Sequence, residues 1–140
     1  MTESSGRALW TMRILSAIAL LATGGIHLYL ALNGVGGLLG VMFILNAVAG
    51  LVLAAGMLLL RGRLLQLVTV LSLLFLIATL GALFLALTVG LFGIHETWDF
   101  TLVPQTVIVE SIGIVLLGIT TAMVLRPQTM PGMRRSPQGA

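Results

Sequence analysis

LLGVMFILNAVAGLVLAAGMLLLRGRLLQLVTVLSLLFLIATLGALFLALTVGLF, residues 38–92, decides the fold. Two long apolar runs, Leu38 to Leu60 and Leu64 to Phe92, are divided only by Arg61-Gly62-Arg63. A helix rises ~1.5 Å per residue and the hydrocarbon core of a bilayer is ~30 Å thick, so about 20 apolar residues cross it. Each run meets that length, and the two guanidinium groups at the divide resist entry into hydrocarbon. The segment therefore predicts two membrane-spanning helices joined by a tight turn. The second run is longer than a perpendicular span needs, which predicts tilt or protrusion on one side.

Outward from this segment the pattern repeats. Ile14 to Leu32 is a third apolar run, separated from Leu38 by Asn33-Gly34-Val35-Gly36-Gly37, a turn made of residues that tolerate positive φ. Arg7 and Arg13 precede that run as they would in a signal peptide, but the run is long for a signal h-region and no persuasive small-x-small cleavage site follows. On the other side, Gly93 to Thr101 is a loop rich in chemical groups. Pro104 suits the first turn of a final helix that reaches Leu125 and is stopped by Arg126-Pro127. The predicted class is all-α: an integral membrane bundle of four transmembrane helices, with spans at about 14–32, 38–60, 64–92 and 102–125. Residues 1–13 form an N-terminal segment, and 126–140 a tail expected to be disordered from its prolines and glycines.

Composition agrees with lipid as the solvent. Of 140 residues 59% are hydrophobic and 8% charged, against about a quarter charged in a soluble domain. The spans occupy most of the chain, so any site must be built from helices and short loops. The absence of cysteine excludes disulfides, thiolate metal ligands and cysteine nucleophiles. All seven basic residues are arginine, which together with the Leu, Ala, Gly and Val content suggests a GC-rich bacterial genome. The net charge of +3 does not indicate nucleic acid as a partner, because the arginines fall in small groups between apolar runs and form no basic stripe.

Those arginines predict the orientation. With the N-terminus inside, Arg7, Arg13, Arg61, Arg63, Arg126, Arg134 and Arg135 are all cytoplasmic; the reverse topology exports every one. The expectation is a bacterial plasma-membrane protein with both termini cytoplasmic, N-in/C-in. Trp10 then lies at the inner interface, and Tyr29 and Trp98 at the outer one. No internal repeat supports an inverted-repeat transporter.

Helices in lipid associate through small residues that let backbones approach. Ala19, Thr23, His27 and Ala31 form such a face on the first span, and Asn46, Gly50 and Ala54 on the second. Ala78, Ala82 and Ala86 do so on the third, and Thr106, Glu110 and Gly113 on the fourth. Counting from the outer turns at ~1.5 Å per residue puts His27 ~9 Å, Glu110 ~12 Å and Asn46 ~13 Å below the outer boundary. The expectation is an outward-facing polar pocket of His27, Asn46 and Glu110, with Gln105, Thr106 and Thr88 nearer its mouth and His95, Glu96 and Asp99 on the loop above.

Several roles fit these residues. Glu110 pairing with His27 or Asn46 fixes helix register without further function; alternatively it belongs to a cation, proton or ligand site. His27, Glu110, His95, Glu96 and Asp99 are candidate metal ligands, although their spacing matches no established zinc or iron motif. Haem held by His27 and His95, the two histidines, requires the loop histidine to reach down into the bundle. No serine-histidine-acid, paired-carboxylate or nucleotide motif is discernible, so an enzyme, in the form of a haem- or metal-binding membrane redox subunit, ranks behind two other classes, and no cofactor is specified. The first class is a non-enzymatic bundle binding a small ligand, cation or lipid group, or supporting a partner membrane protein. The second is a proton-coupled transporter or channel subunit, for which a homo-oligomer or larger membrane complex is expected. The bilayer is a partner in every case.

Phe43-Ile44-Leu45-Asn46-Ala47-Val48-Ala49-Gly50 is similar to the second helix of small dimeric fluoride channels, but the third span lacks their threonine- and phenylalanine-rich break. Small multidrug transporters carry their carboxylate in the first helix, whereas here it is in the fourth. Gly25-Ile26-His27-Leu28-Tyr29-Leu30, Gly40 to Phe43 with Leu45-Asn46-Ala47, Leu91-Phe92-Gly93 with Glu96, and Val107-Ile108-Val109-Glu110 resemble a group of small four-span actinobacterial membrane proteins over about Gly24 to Leu125. That resemblance implies fold and localisation and no activity.

Overall fold

A computed structural model describes residues 3–127. Arg134, Arg135 and the tail from residue 128 lie outside the described residues. Among the described residues there are four helices and no strand: α1 (Glu3–Leu32), α2 (Gly37–Leu59), α3 (Gly62–Thr88) and α4 (Val103–Val124). All four are long and apolar enough to cross a membrane, so the chain fits a small four-span membrane protein. Large apolar side chains such as Ile18, Leu45, Val48, Ile77, Ile112 and Val115 stand exposed on the outside of the bundle, as hydrocarbon solvent permits.

Each turn has a local cause. Gly62 adopts φ +57, so that α3 starts immediately after α2 and Arg61 serves as its N-cap. Gly34 and Gly37, at φ +102 and +64, reverse the chain between α1 and α2. The third apolar run does not stay helical to Phe92. Gly90, at φ +87, turns its N–H back to the Leu85 carbonyl at 2.8 Å, a glycine stop just past the last helical turn. Helix α1, conversely, reaches back beyond its apolar run to Glu3, and so Arg13 is a helical residue and a buried one.

The helices form a ring in which α1 packs on α2 and α4, and α3 on α4, while the α2/α3 seam is the slightest of the four. The α1/α2 crossing is close because a Cβ placed on Gly50 would lie 2.9 Å from the Leu20 carbonyl oxygen, and one on Gly24 would lie 3.2 Å from that of Ala47. Ser16 and Thr120 bridge α1 and α4 through a buried hydroxyl pair at 3.0 Å. Near the arginine-bearing turn, Ala17, Leu20, Ala54, Met57, Leu76 and Leu117 belong to the apolar core. Of the small-residue face expected on α3, Ala86 is buried, Ala82 half-buried and Ala78 exposed. The buried stripe of α3 runs instead mainly through Leu65, Val68, Thr69, Ser72 and Leu76, because α2 and α3 diverge toward the loop end.

Candidate functional site

The divergence of α2 from α3 leaves a cavity of about 290 Å³ in the loop half of the bundle. Its walls are mostly apolar, with Leu39, Met42 and Phe43 from α2 and Phe75, Ala82 and Leu83 from α3. Polar groups enter from every side: His27 from α1, Asn46 from α2, Thr79 from α3, Thr106 from α4 and Glu96 from the loop. A more open hollow continues along α3 past Gly81, Leu85 and Thr88 and shares Met42, Ala78, Ala82 and Phe92 with the cavity. The hollow thus adjoins the cavity along α3.

His27 is held rigidly. Its Nδ1 lies 2.8 Å from the Thr23 carbonyl oxygen, which can only accept, so Nδ1 carries the hydrogen and Nε2 of the neutral ring is an acceptor. Phe43 meets the ring edge-on, with centroids 5.0 Å apart and planes at 79°. The imidazole is therefore oriented by one hydrogen bond and one aromatic contact.

Behind the cavity lies a closed polar layer. Ala19 of α1 meets α4 at Gly113, where an added Cβ would lie 3.2 Å from the Ala19 Cβ. The two helices are antiparallel, so one turn toward the loop end brings Thr23 level with Glu110. Thr79 of α3 adjoins Glu110, but its hydroxyl donates to the Leu76 carbonyl at 3.1 Å. Glu110 is 0% exposed, and neither of its carboxyl oxygens has a well-formed hydrogen bond to the described residues; Thr23 Oγ1 and Asn46 Oδ1 are likewise buried and unpartnered.

The loop end is shaped by backbone as much as by side chains. Leu91 and Ile94 exchange backbone hydrogen bonds of 2.9 and 2.8 Å around Phe92-Gly93, whose φ values are +52 and +77. The Glu96 N–H bonds the Ala86 carbonyl at 3.0 Å, fastening the loop to α3. The Glu96 side chain is half-buried in the cavity mouth, and burial pushes its carboxyl above the ordinary range.

No family model, curated protein or solved structure matches the chain. The site therefore stands on its geometry. Of the expected pocket, His27, Asn46 and Thr106 share the cavity wall, Glu110 sits in the closed layer behind it, and Gln105 is exposed and absent from the lining. The five candidate metal ligands His27, Glu110, His95, Glu96 and Asp99 do not gather: among the described residues no three histidine or acidic side chains form a group able to hold a metal. His95 is exposed, with its ring seated over Gly90 at the surface of the loop, and Asp99 is exposed as well. Haem ligation by His27 and His95 would require His95 to leave Gly90 and enter the bundle. Among the lining residues that the sequence left unassigned to the site are Thr79, Phe43 and Phe92. Thr79 alone carried a readable signal, as a polar residue in the middle of the third apolar run.

Proposed function

We propose that the protein binds a lipid-soluble amphiphile, drawn sideways from the bilayer between α2 and α3, with its polar group against His27 and Asn46. The observation that carries this proposal is the apolar cavity with convergent polar groups, which shares lining residues with the adjoining hollow along α3. Ligand sites are of this kind: mostly apolar concavities in which a few placed polar atoms fix orientation. His27 Nε2 offers an acceptor, and the Asn46 amide a donor and an acceptor. The role is non-enzymatic, in capture or presentation of the amphiphile, alone or for a partner membrane protein.

We also infer that the membrane is a bacterial plasma membrane with both termini cytoplasmic, which the one-sided arginine distribution supports. Kinship with the small four-span actinobacterial group rests on the motifs around His27, Asn46 and Glu110. The loop carrying Glu96 and Trp98 is then extracytoplasmic. Since the chain has no cysteine, single substitutions label cleanly. Thr97→Cys is expected to react with a membrane-impermeant maleimide on intact cells, and Arg63→Cys only after lysis; the opposite pattern would invert the topology.

Ligand capture is tested by mass spectrometry of the protein released from gently solubilised membranes. A co-purifying amphiphile is expected on the wild type and should be lost from Ala82→Trp, which fills the cavity from α3. An adduct retained at equal occupancy by a folded Ala82→Trp protein would remove the cavity as its site.

A further inference from the structure

The wall of the cavity carries charge of one sign. Glu96 is the one carboxylic acid in the lining, and no arginine or lysine accompanies it. Among the described residues the arginines stand at the opposite end of the bundle: Arg7 and Arg13 in the first half of α1, Arg61 and Arg63 at the α2/α3 turn, and Arg126 just past α4. His95, next to Glu96 in the chain, has its ring seated over Gly90 and is absent from the lining. A half-buried carboxylate without a counter-ion is costly, and burial already holds the Glu96 carboxyl above the ordinary range. A positive charge brought into the cavity would relieve that cost, whereas a second negative charge would add to it. We propose that the amphiphile of this cavity is a cation, a long-chain amine whose ammonium group is neutralised by Glu96.

The neutral part of the wall is compatible with such a ligand. His27 Nε2 is an acceptor because the Nδ1 hydrogen is committed to the Thr23 carbonyl, and the Thr106 hydroxyl donates to the Leu102 carbonyl at 2.8 Å, which leaves its lone pairs free. Donors are present as well, in the Asn46 amide and the Thr79 and Thr101 hydroxyls. Hydrogen bonding alone would therefore admit an alcohol as readily as an amine, and charge makes the distinction. Attraction between charges requires no contact, so Glu96 acts from the mouth on an ammonium deeper in the cavity. The rings of Phe43, Phe75, Phe92 and Phe100 belong to the same lining, and phenyl rings accept both an alkyl chain and a cation as neighbours. This inference rests on the amphiphile site proposed above and adds the sign of its ligand's charge.

The test titrates the full chain, in a non-ionic detergent at neutral pH, with three probes of one chain length: dodecylamine, dodecanol and dodecanoate, with bound probe counted by native mass spectrometry. Partition into the micelle is common to all the proteins, so each probe is compared between wild type and variant. Glu96→Gln is expected to weaken dodecylamine binding about tenfold and to leave dodecanol within about twofold of the wild type. Asp99→Asn, which removes an exposed loop carboxylate outside the lining, should bind dodecylamine as the wild type does. Dodecanoate should bind the wild type most weakly of the three, an order that depends on no variant. Undiminished dodecylamine binding by Glu96→Gln, or an equal loss in Asp99→Asn, would overturn the charge assignment; the cavity itself would stand if Ala82→Trp still expelled dodecanol. Dodecylamine retained in full by a folded Ala82→Trp protein would overturn both the assignment and the site beneath it, as would binding of none of the three probes.

Discussion

Arg13 of α1 donates its Nε–H to the Met57 carbonyl of α2 at 2.7 Å. Its Nη2 reaches the Leu58 and Leu60 carbonyls at 3.2 and 2.8 Å, while the Leu60 N–H closes on the Gly56 carbonyl at 3.0 Å. The last carbonyls of a helix have no partner within it and carry the negative end of its dipole. One guanidinium from the neighbouring helix therefore caps α2, and the Trp10 ring covers its carbon at 4.9 Å.

Replacing this cap should be expensive. Arg13→Ala is expected to lose roughly 3 kcal/mol of stability, since hydrogen bonds to charged groups contribute ~1.5–3 kcal/mol and the carbonyls are left unpaired. Arg13→Lys should recover only part of it, because an ammonium cannot reproduce the planar fork. Reversible unfolding in mixed micelles measures both; an Arg13→Ala protein as stable as the wild type would mean that water replaces the guanidinium at no cost.

The α1/α2 crossing tolerates no side chain at Gly50. The obstacle is the backbone oxygen of Leu20, not the end of a flexible side chain. Gly50→Ala should cost about 1–3 kcal/mol by overpacking, whereas Gly25→Ala, with open space around it, should change stability by no more than ~0.5 kcal/mol. The same unfolding assay compares them, and equal effects would show that the two helices slide apart freely.

Phe92 holds a backbone conformation usually taken by Asn or Gly. Positive φ at both central residues is the pattern of a two-residue type I′ hairpin turn, and a bulky residue there is strained. Phe92→Asn is expected to stabilise the fold by about 1 kcal/mol. Phe92 also lines the cavity, so the same substitution should speed loss of a bound amphiphile during washing. A variant that gains no stability, with ligand retention unchanged, would separate the strain from the site.

Burial raises the Glu96 pKa in the folded protein, so folding favours its protonated form. Its contribution to stability is therefore fully present below the ordinary glutamate range and is lost as pH rises through the raised value. Unfolding curves collected across that interval should fall for the wild type and fall less for Glu96→Gln. His95, Asp99 and Glu110 are common to both proteins, so the difference isolates this carboxyl; parallel curves would place Glu96 in open water.

The spans were legible because lipid imposes a length on any apolar crossing, and the runs around Arg61-Gly62-Arg63 and Asn33 to Gly37 read directly as helices and turns. The end of α3 was not, since apolarity continues through Leu91-Phe92 while Gly90 already stops the helix. His27, Asn46 and Thr106 were recognisable as polar residues on small-residue faces, and counting along each helix set their heights. Counting along helices does not give the separation between them. The opening of α2 from α3, and with it the placement of Glu110 behind the cavity wall and not on it, depends on how whole helix faces pack. Arg13 was legible as a charge that sets orientation, but its role as a cap depends on where α2 ends relative to α1.

The slight α2/α3 seam also bears on biogenesis. With α1 fastened to α2 by Arg13 and the Gly24/Gly50 crossing, and α3 packed on α4, the chain consists of two hairpins that can partition into the bilayer one after the other during synthesis. Closure through Ser16 and Thr120 would then come last. The halves, cut at Gly62 and expressed as separate polypeptides, should reassemble and co-purify; failure to do so would mean that the short link itself guides assembly.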